Sequence, residues 1–486
     1  MSDYEYDLGV IGGGAAGLTV AAGASQLGAK VVLLEKEEAL GGDCLHFGCV
    51  PSKTLIKSAK VFHLMKNGPV FGLPKIQPPP VSFARIAAHI AEVRQKIQKH
   101  DSEERFCGLG VQVVKGKACF TSPHSVALDD RTFTARHWVI ATGSSPAVPD
   151  IEGLESTPFL TNKDLFTLDC LPGSLIILGA GPVAVEMAQA FARLGSRVSV
   201  VQRSGQILSK EDKDLADRIM ESLKFEGIEF YLNSSVSRVN SVHGVPELVI
   251  KNENSEQIRL KGEKLLIALG RKPNLEGLGL EKAGVEYSSK GITVDNRLRT
   301  SNKHIFAAGD ITGQYQFTHA AGYEGGVVLA NTIFRLPKKA DYTWLPWCTY
   351  TDPELASMGL NEKRARQKNI EYKVWQEEFS ENDRALTEGQ SRGCIKMLVD
   401  SNERPLGVQI LGPQAGDLLG EWVAVLNAKV KISTLASSVH PYPTLAEINK
   451  KVAGDLMAQK LFSEKIKKGL KLIFNTKGRA CTPEQP

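Results

Sequence analysis

One local unit occurs twice along this chain and admits few folds: an apolar strand, a glycine-rich turn, a helix, then a second apolar strand. In the first copy residues 8–11 form the strand, Gly12-Gly-Gly14-Ala-Ala-Gly17 the turn, an alanine-rich helix runs to about Leu27, and residues 30–34 lead into Glu35. Gly12 permits the turn, Gly14 lets a pyrophosphate approach the backbone, and Gly17 lets helix and strand pack closely. Glu35, 23 residues after Gly12, can hydrogen-bond a ribose diol. The second copy runs Ser174–Leu178, then Gly179-Ala-Gly181-Pro-Val-Ala184 opening a helix that carries Glu186, then Arg197–Val201. Where an acid would select NADH stands Gln202, followed by Arg203, which suits a 2′-phosphate. The second site is therefore expected to take NADPH, with NADH as the alternative; the competing view makes Arg203 a solvated surface residue.

Residues 41–53 read Gly-Gly-Asp-Cys-Leu-His-Phe-Gly-Cys-Val-Pro-Ser-Lys. Cys44 and Cys49 flank a short loop containing Gly48, and Pro51 is expected to open a helix. A thiol at a helix N-terminus is favoured as thiolate, and so short a loop can bring two Cα atoms within the roughly 4.4–6.8 Å a disulfide needs. The pair reads as a redox-active disulfide, against two structural thiols or half a metal site. No Cys/His pair with zinc spacing occurs elsewhere, so no metal is expected.

At 486 residues the chain has room for about three domains. Its 42% hydrophobic and 23% charged residues are those of an ordinary soluble protein, and a net charge of +5, dispersed along the chain, gives no argument for nucleic acid. Six further cysteines (Cys107, Cys119, Cys170, Cys348, Cys394 and Cys481) are scattered, too sparse for a disulfide scaffold. The acidic start Met-Ser-Asp-Tyr-Glu-Tyr-Asp lacks the regions of a signal peptide, and no apolar run approaches the ~18 residues of a membrane span. A reducing cytoplasm is the expected compartment, where a disulfide is usually catalytic.

Other segments read as strands closing on glycine turns: Trp138-Val-Ile-Ala-Thr-Gly143, Leu265-Leu-Ile-Ala-Leu-Gly270-Arg-Lys-Pro-Asn274, and Ile305-Phe-Ala-Ala-Gly309-Asp310. Each places backbone and a polar group where doubly wound sheets bind ligands, although Gly-Asp is also a plain turn signal. Residues 68–80 read as a loop, and 82–107 as a helix. Strands are expected at 347–360, 372–379, 394–399 and 406–411, with a helix at 414–429, forming a separate α+β domain. In the tail, Phe462, Ile466, Leu470 and Ile473 recur at helical spacing among Lys465, Lys467, Lys468, Lys471, Lys477 and Arg479. Such a helix fits either an anionic membrane surface or a solvated or subunit-packing terminus.

Together these blocks resemble the pyridine nucleotide–disulfide oxidoreductases, the flavoenzyme family of glutathione reductase, dihydrolipoamide dehydrogenase and mercuric reductase, over about residues 5–455. The resemblance implies an α/β protein with two Rossmann-like domains, one for FAD (1–150 with 268–343) and one for NAD(P)H (151–267). A C-terminal dimerisation domain (344–455) and a basic tail (456–486) follow. It implies FAD on Gly12, Gly14, Gly17 and Glu35, with Asp310 on the ribityl chain. Gly143, Gly270 and Thr318 lie around that cofactor, and Gly179, Gly181 and Arg203 hold the nicotinamide nucleotide. Cys49 becomes the thiol against the flavin and Cys44 the thiol that attacks substrate; Lys53 lies near the flavin and pairs with Glu186. The protein is expected to form a homodimer in which the segment around residue 442 completes the partner's disulfide site.

One departure bears on substrate. Where glutathione and lipoamide enzymes carry His-Pro-Thr with a glutamate five residues after the histidine, this chain has Tyr442-Pro-Thr with Glu447 retained, and His440 falls two residues too early. Tyrosine has a reference pKa of about 10 against about 6.5 for histidine, a handicap of roughly 4.8 kcal/mol for a base near neutral pH. Mercuric reductases carry tyrosine there, and a soft cation needs thiolate ligands rather than a histidine base. The chain lacks their N-terminal metal-binding domain and adjacent C-terminal cysteines, while Phe317-Thr-His319-Ala-Ala is similar to a flavin-adjacent segment of the lipoamide enzymes. A mercuric-reductase-like activity is expected first; a lipoamide-type disulfide reductase and a quinone or dye reductase are the alternatives.

Overall fold

A computed structural model describes residues 4–478, 480 and 481. Arg479 and residues 482–486 of the basic tail lie outside the described residues. The chain divides into two compact units, Met1–Ser209 with Ile219–Tyr342, and Lys210–Arg218 with Thr343–Pro486.

The first unit begins β1 (Tyr6–Ile11), α1 (Ala15–Gln26), β2 (Val31–Glu35), α2 (Gly42–His46), α3 (Cys49–Lys66) and α4 (Phe83–Gln98). Strands β3 (Val111–Lys115), β4 (Ala118–Ser122), β5 (Ser125–Leu128) and β6 (Arg131–Ile140) follow. Next come β7 (Ser174–Leu178), α5 (Pro182–Leu194), β8 (Arg197–Val201), β9 (Glu229–Tyr231), β10 (Lys264–Ile267), β11 (Ile305–Ala307) and α6 (Thr318–Thr332). The first sheet has the order β3-β2-β1-β6-β5-β4, with β11 also on β6. Its central parallel strands are apolar where both faces are covered: Leu8, Val10, Leu33 and Val139 are all buried. At Gly9 a Cβ would meet the Trp138 ring at 2.2 Å, so a bare backbone there makes room for the indole.

Register decides where the loops emerge. Ile11 pairs with Leu34 on one side and Ile140 on the other, and Ala307 pairs with Ile140. Gly12, Gly143 and the Gly309-Asp310 turn therefore leave the sheet along the same carboxyl edge, beside Glu35. The second parallel sheet, β9-β8-β7-β10, repeats the arrangement. Leu178 pairs with Val201 and with Ile267, which brings the Gly179 turn, Arg203 and the segment leading to Gly270 to one edge. Arg271–Pro273 then pairs antiparallel with Ser144–Pro146, joining two segments that look alike in sequence.

The second unit holds a five-stranded antiparallel sheet of β12 (Pro346–Thr349), β13 (Glu354–Gly359), β14 (Lys373–Glu378), β15 (Cys394–Val399) and β16 (Pro405–Gly412), in the order β12-β13-β16-β15-β14. Helices α7 (Ala415–Asn427) and α8 (Glu447–Leu461) pack on it through Trp422 and Val452 against Ile395, Met397 and Ile410, and α9 (Glu464–Phe474) follows. Lys396, 2% exposed, is held by Glu362 at 2.6 Å, Asp214 at 3.0 Å and Asp212 at 3.5 Å.

Local departures from the sequence reading have physical causes. The helix expected over 82–107 stops at Gln98 and a new one runs Glu103–Gly108, because Ser102 caps it by accepting from the Arg105 N–H. The strand expected over 347–360 is a hairpin, β12 and β13. Helix α3 begins at Cys49 rather than Pro51, which sits in its first turn, where a missing N–H leaves no hydrogen bond unmade. No described helix is long and apolar enough to cross a membrane.

Candidate active site

The first glycine turn is shaped by contacts at the backbone. Gly12 has φ +105°, a conformation side chains rarely adopt, and a Cβ on Gly17 would lie 1.9 Å from the Gly12 carbonyl oxygen. Gly14 is different: its Cβ would meet only the Gly42 Cα, at 3.9 Å, and at Gly181 a Cβ would meet nothing within 4 Å. Helices α1 and α5 both start without a side-chain cap, so their first N–H groups point into that space. These are cradles for anionic diphosphates, and the residues present fit a dinucleotide at each. Buried Glu35 accepts the Gly13 N–H at 2.5 Å and the Glu37 N–H at 2.8 Å, which aims its carboxylate along the sheet edge and leaves further lone pairs for hydroxyl donors.

Around the same edge, Asp310 accepts from Ser144 Oγ at 2.5 Å and lies 3.7 Å from Arg271 Nε. Burial raises its carboxyl above the usual range, against the hydrogen bond from Ser144. Arg271 also reaches Asp43 at 3.1 Å, and Asn162 Nδ2 donates to Asp43 at 3.2 Å and to the Phe47 carbonyl at 2.9 Å. Glu324, fully buried on α6, accepts the Gly309 N–H at 2.6 Å and the Tyr342 hydroxyl at 2.8 Å, holding the turn that presents Asp310.

Cys44, on α2, and Cys49, the first residue of α3, are free thiols that hydrogen-bond one another. The bond from Cys44 lowers the Cys49 pKa to about 6, helped by Thr318 and by the charge of Lys53. Cys44 is driven the other way by the same bond and by burial. Thr318 Oγ1, in the first turn of α6, lies 3.6 Å from Cys49 Sγ. Lys53, one turn along α3, donates to buried Glu186 of α5 at 2.9 Å. Cys44, Cys49, Lys53, Glu186 and Thr318 thus come together, one thiol poised as thiolate and the other as thiol.

Arg203 is exposed two residues past β8, on the same edge as Gly179 and Gly181. Gly143 accepts from the Asn274 N–H at 3.0 Å and Gly270 from the Ala147 N–H at 2.9 Å, so both brace the turns beside Arg271. Tyr442 and Glu447 belong to the second unit. Tyr442 is 70% exposed and its hydroxyl donates to Asp383 at 2.8 Å; Glu447 accepts from the Thr444 N–H at 3.3 Å. The structure does not pair Tyr442 with Glu447. The hydrogen bond to Asp383 raises the Tyr442 pKa further. His440 turns to Glu421, 2.9 Å from Nε2.

Asp43, Ser144, Arg271, Glu324 and Asp383 carry contacts that the sequence reading assigned to none of them. Asp43 and Arg271 stood inside quoted motifs, and position beside Cys44 and Gly270 was the available signal. Glu324 and Asp383 had none.

Residues 6–325 match the model of the family described as pyridine nucleotide-disulphide oxidoreductase, and 345–453 that family's dimerisation domain. A mercuric reductase of Staphylococcus aureus is 33% identical over 451 residues, 92% of this chain and 81% of that one. A dihydrolipoyl dehydrogenase of Bacillus subtilis (strain 168) is 32% identical over 451 residues, 90% of this chain and 96% of that one. Among solved structures, the HOCl-induced flavoprotein disulfide reductase RclA from Escherichia coli, in its Cu(II) complex, aligns with TM-score 0.83 and 27% identity over 94% of this chain and 100% of that one.

Proposed function

Because the chain belongs to the pyridine nucleotide–disulphide oxidoreductases, FAD-dependent enzymes that use NAD(P)H, we propose that it reduces a thiol-bound soft metal ion or a disulfide through Cys44 and Cys49, in the manner of a mercuric reductase. FAD is assigned to Gly12, Gly14, Gly17, Glu35, Gly143, Gly270, Asp310 and Thr318, on residues 1–150 with 268–343. The nicotinamide nucleotide is assigned to Gly179, Gly181 and Arg203 on 151–267. Once bound, the flavin supplies acceptance of hydride and delivery of an electron pair to the disulfide.

The chain's own part is the dithiol. Against a disulfide, the Cys44 sulfur attacks one sulfur while its proton passes to the sulfur that departs, leaving a mixed disulfide and the first product thiol. The Cys49 thiolate then attacks the Cys44 sulfur and releases the second product as thiolate, so the substrate gains two electrons and the pair returns to a disulfide. Against a soft cation, the two sulfurs are its ligands. Lys53, oriented by Glu186, places positive charge beside Cys49.

The observation that carries this reading is the placement of the cysteine pair, with Cys49 opening α3, Thr318 Oγ1 3.6 Å from its sulfur, and Lys53 one turn on, paired with buried Glu186 at 2.9 Å. The choice of substrate rests on Tyr442, whose hydrogen bond to Asp383 makes its hydroxyl harder still to ionise and so leaves less phenolate to take a proton near neutral pH. The Cu(II) complex of RclA is in keeping with a transition-metal partner for a disulfide reductase of this fold. Residues 344–455 are assigned to homodimer formation, and the compartment to the cytoplasm.

Measuring NADPH oxidation with Hg(II) in excess thiol tests the proposal. Turnover should fall by at least about 10² in Cys44→Ala; equal turnover in the two proteins overturns the dithiol route. A quinone or dye reductase, by contrast, keeps its activity without either cysteine. The lipoamide-type reading draws on Thr318 and His319 and on the Bacillus relative; turnover of dihydrolipoamide exceeding that of Hg(II) would favour it.

A further inference from the structure

Helix α9 lies beyond the region matched by either family model, which ends at residue 453. None of its residues is buried. Ile466, Leu470, Ile473 and Phe474, with Phe462 just before the helix, are 38%, 43%, 72%, 69% and 65% exposed. At 100° per residue the four within the helix fall within about one third of its circumference, a single continuous stripe. Lys465, Lys467, Lys468 and Lys471 share the remaining arc with Glu464 and with Leu472, which is 87% exposed, and Lys477 stands just past the end. Lys467 pairs with Glu464 at 2.8 Å, whereas among the described residues Lys465, Lys468, Lys471 and Lys477 have no carboxylate partner.

A stripe this apolar beside so many lysines specifies its cover. A second copy of the same helix would oppose lysine to lysine, and water leaves the stripe unburied. An anionic bilayer satisfies both faces at once: the side chains enter the headgroup boundary while the lysines meet lipid phosphates. We propose that α9 is an interfacial helix that holds the protein reversibly on anionic membranes. Lys460, at the end of α8, pairs with Glu403 just before the helix begins. The inference is independent of which substrate the dithiol reduces.

Co-sedimentation of the full chain with vesicles tests it. Binding to phosphatidylcholine containing about one third phosphatidylglycerol should exceed binding to pure phosphatidylcholine at least tenfold, and should fall severalfold between about 0.1 M and 0.5 M salt. The double variant Ile466→Glu/Leu470→Glu should lose it, with NADPH oxidation unchanged, as should Lys465→Gln/Lys468→Gln/Lys471→Gln. No vesicle binding, equal binding to neutral vesicles, or binding that survives the double variant overturns the proposal. So does self-association that depends on Ile466 and Leu470 without lipid binding, since it assigns the stripe to a second copy.

Discussion

Cys49 sits at a helix start, beside a cysteine, a threonine and a lysine, and each neighbour favours its anion. Its pKa of about 6 means that it is thiolate above that pH and thiol below. Iodoacetamide modification of Cys49 in the reduced enzyme should therefore fall off as pH drops through about 6; a midpoint in the ordinary thiol range would contradict this electrostatic account. Thr318→Val removes one of the stabilising hydrogen bonds and should move that midpoint upward, with the fold retained. At the far side of the pair, Lys53→Met leaves Glu186, only 4% exposed, without the ammonium it accepts from. Because Lys53 is itself partly exposed, the expected cost is about 1–3 kcal/mol, read as a lowered urea midpoint.

At the scale of elements, the two glycine turns do different work. Gly17→Ala drives a Cβ to 1.9 Å from backbone and should push α1 off its strand, lowering both Tm and flavin content. Gly14→Ala meets nothing closer than 3.9 Å, so its Tm without flavin should hold while flavin content falls. Equal effects of the two substitutions on the flavin-free protein would contradict this division. In the second unit Lys396 balances three carboxylates, and Lys396→Met should cost about 3–5 kcal/mol. The strands and turns carrying these features were legible because their signals are local: an apolar run, a glycine, an acid within a few residues. The break at Gln98 was not, since helix-forming residues continue past it and a single serine cap decides the outcome. Nor were the partners of Asp43 and Asp310, which lie 228 and 166 residues away at Arg271 and Ser144, whereas the Lys53–Glu186 pair, 133 residues apart, was expected from the family resemblance. Only the register of parallel strands brings such pairs together.

Across the whole molecule, the proposal routes electrons from two glycine-turn sites to one cysteine pair, and the second unit carries Tyr442 where glutathione and lipoamide enzymes have a histidine. If that exchange is what turns the protein from disulfides toward soft metals, Tyr442→His should raise turnover of disulfide substrates, within a ceiling of about 10²–10⁴, and lower their optimal pH. No gain would place the cause elsewhere. The family was legible from the cysteine block and the paired fingerprints; the pairing of Tyr442 with Asp383 was not, because the acid lies 59 residues upstream at the start of a short helix, Asp383–Thr387. The most direct test is to reduce the purified enzyme with one equivalent of NADPH without oxygen, label the newly formed thiols, and map them. The expected result is two new thiols, at Cys44 and Cys49, with Cys49 labelled preferentially near pH 7. Electron uptake by the flavin with no new thiol at either position would contradict the dithiol as the route to substrate.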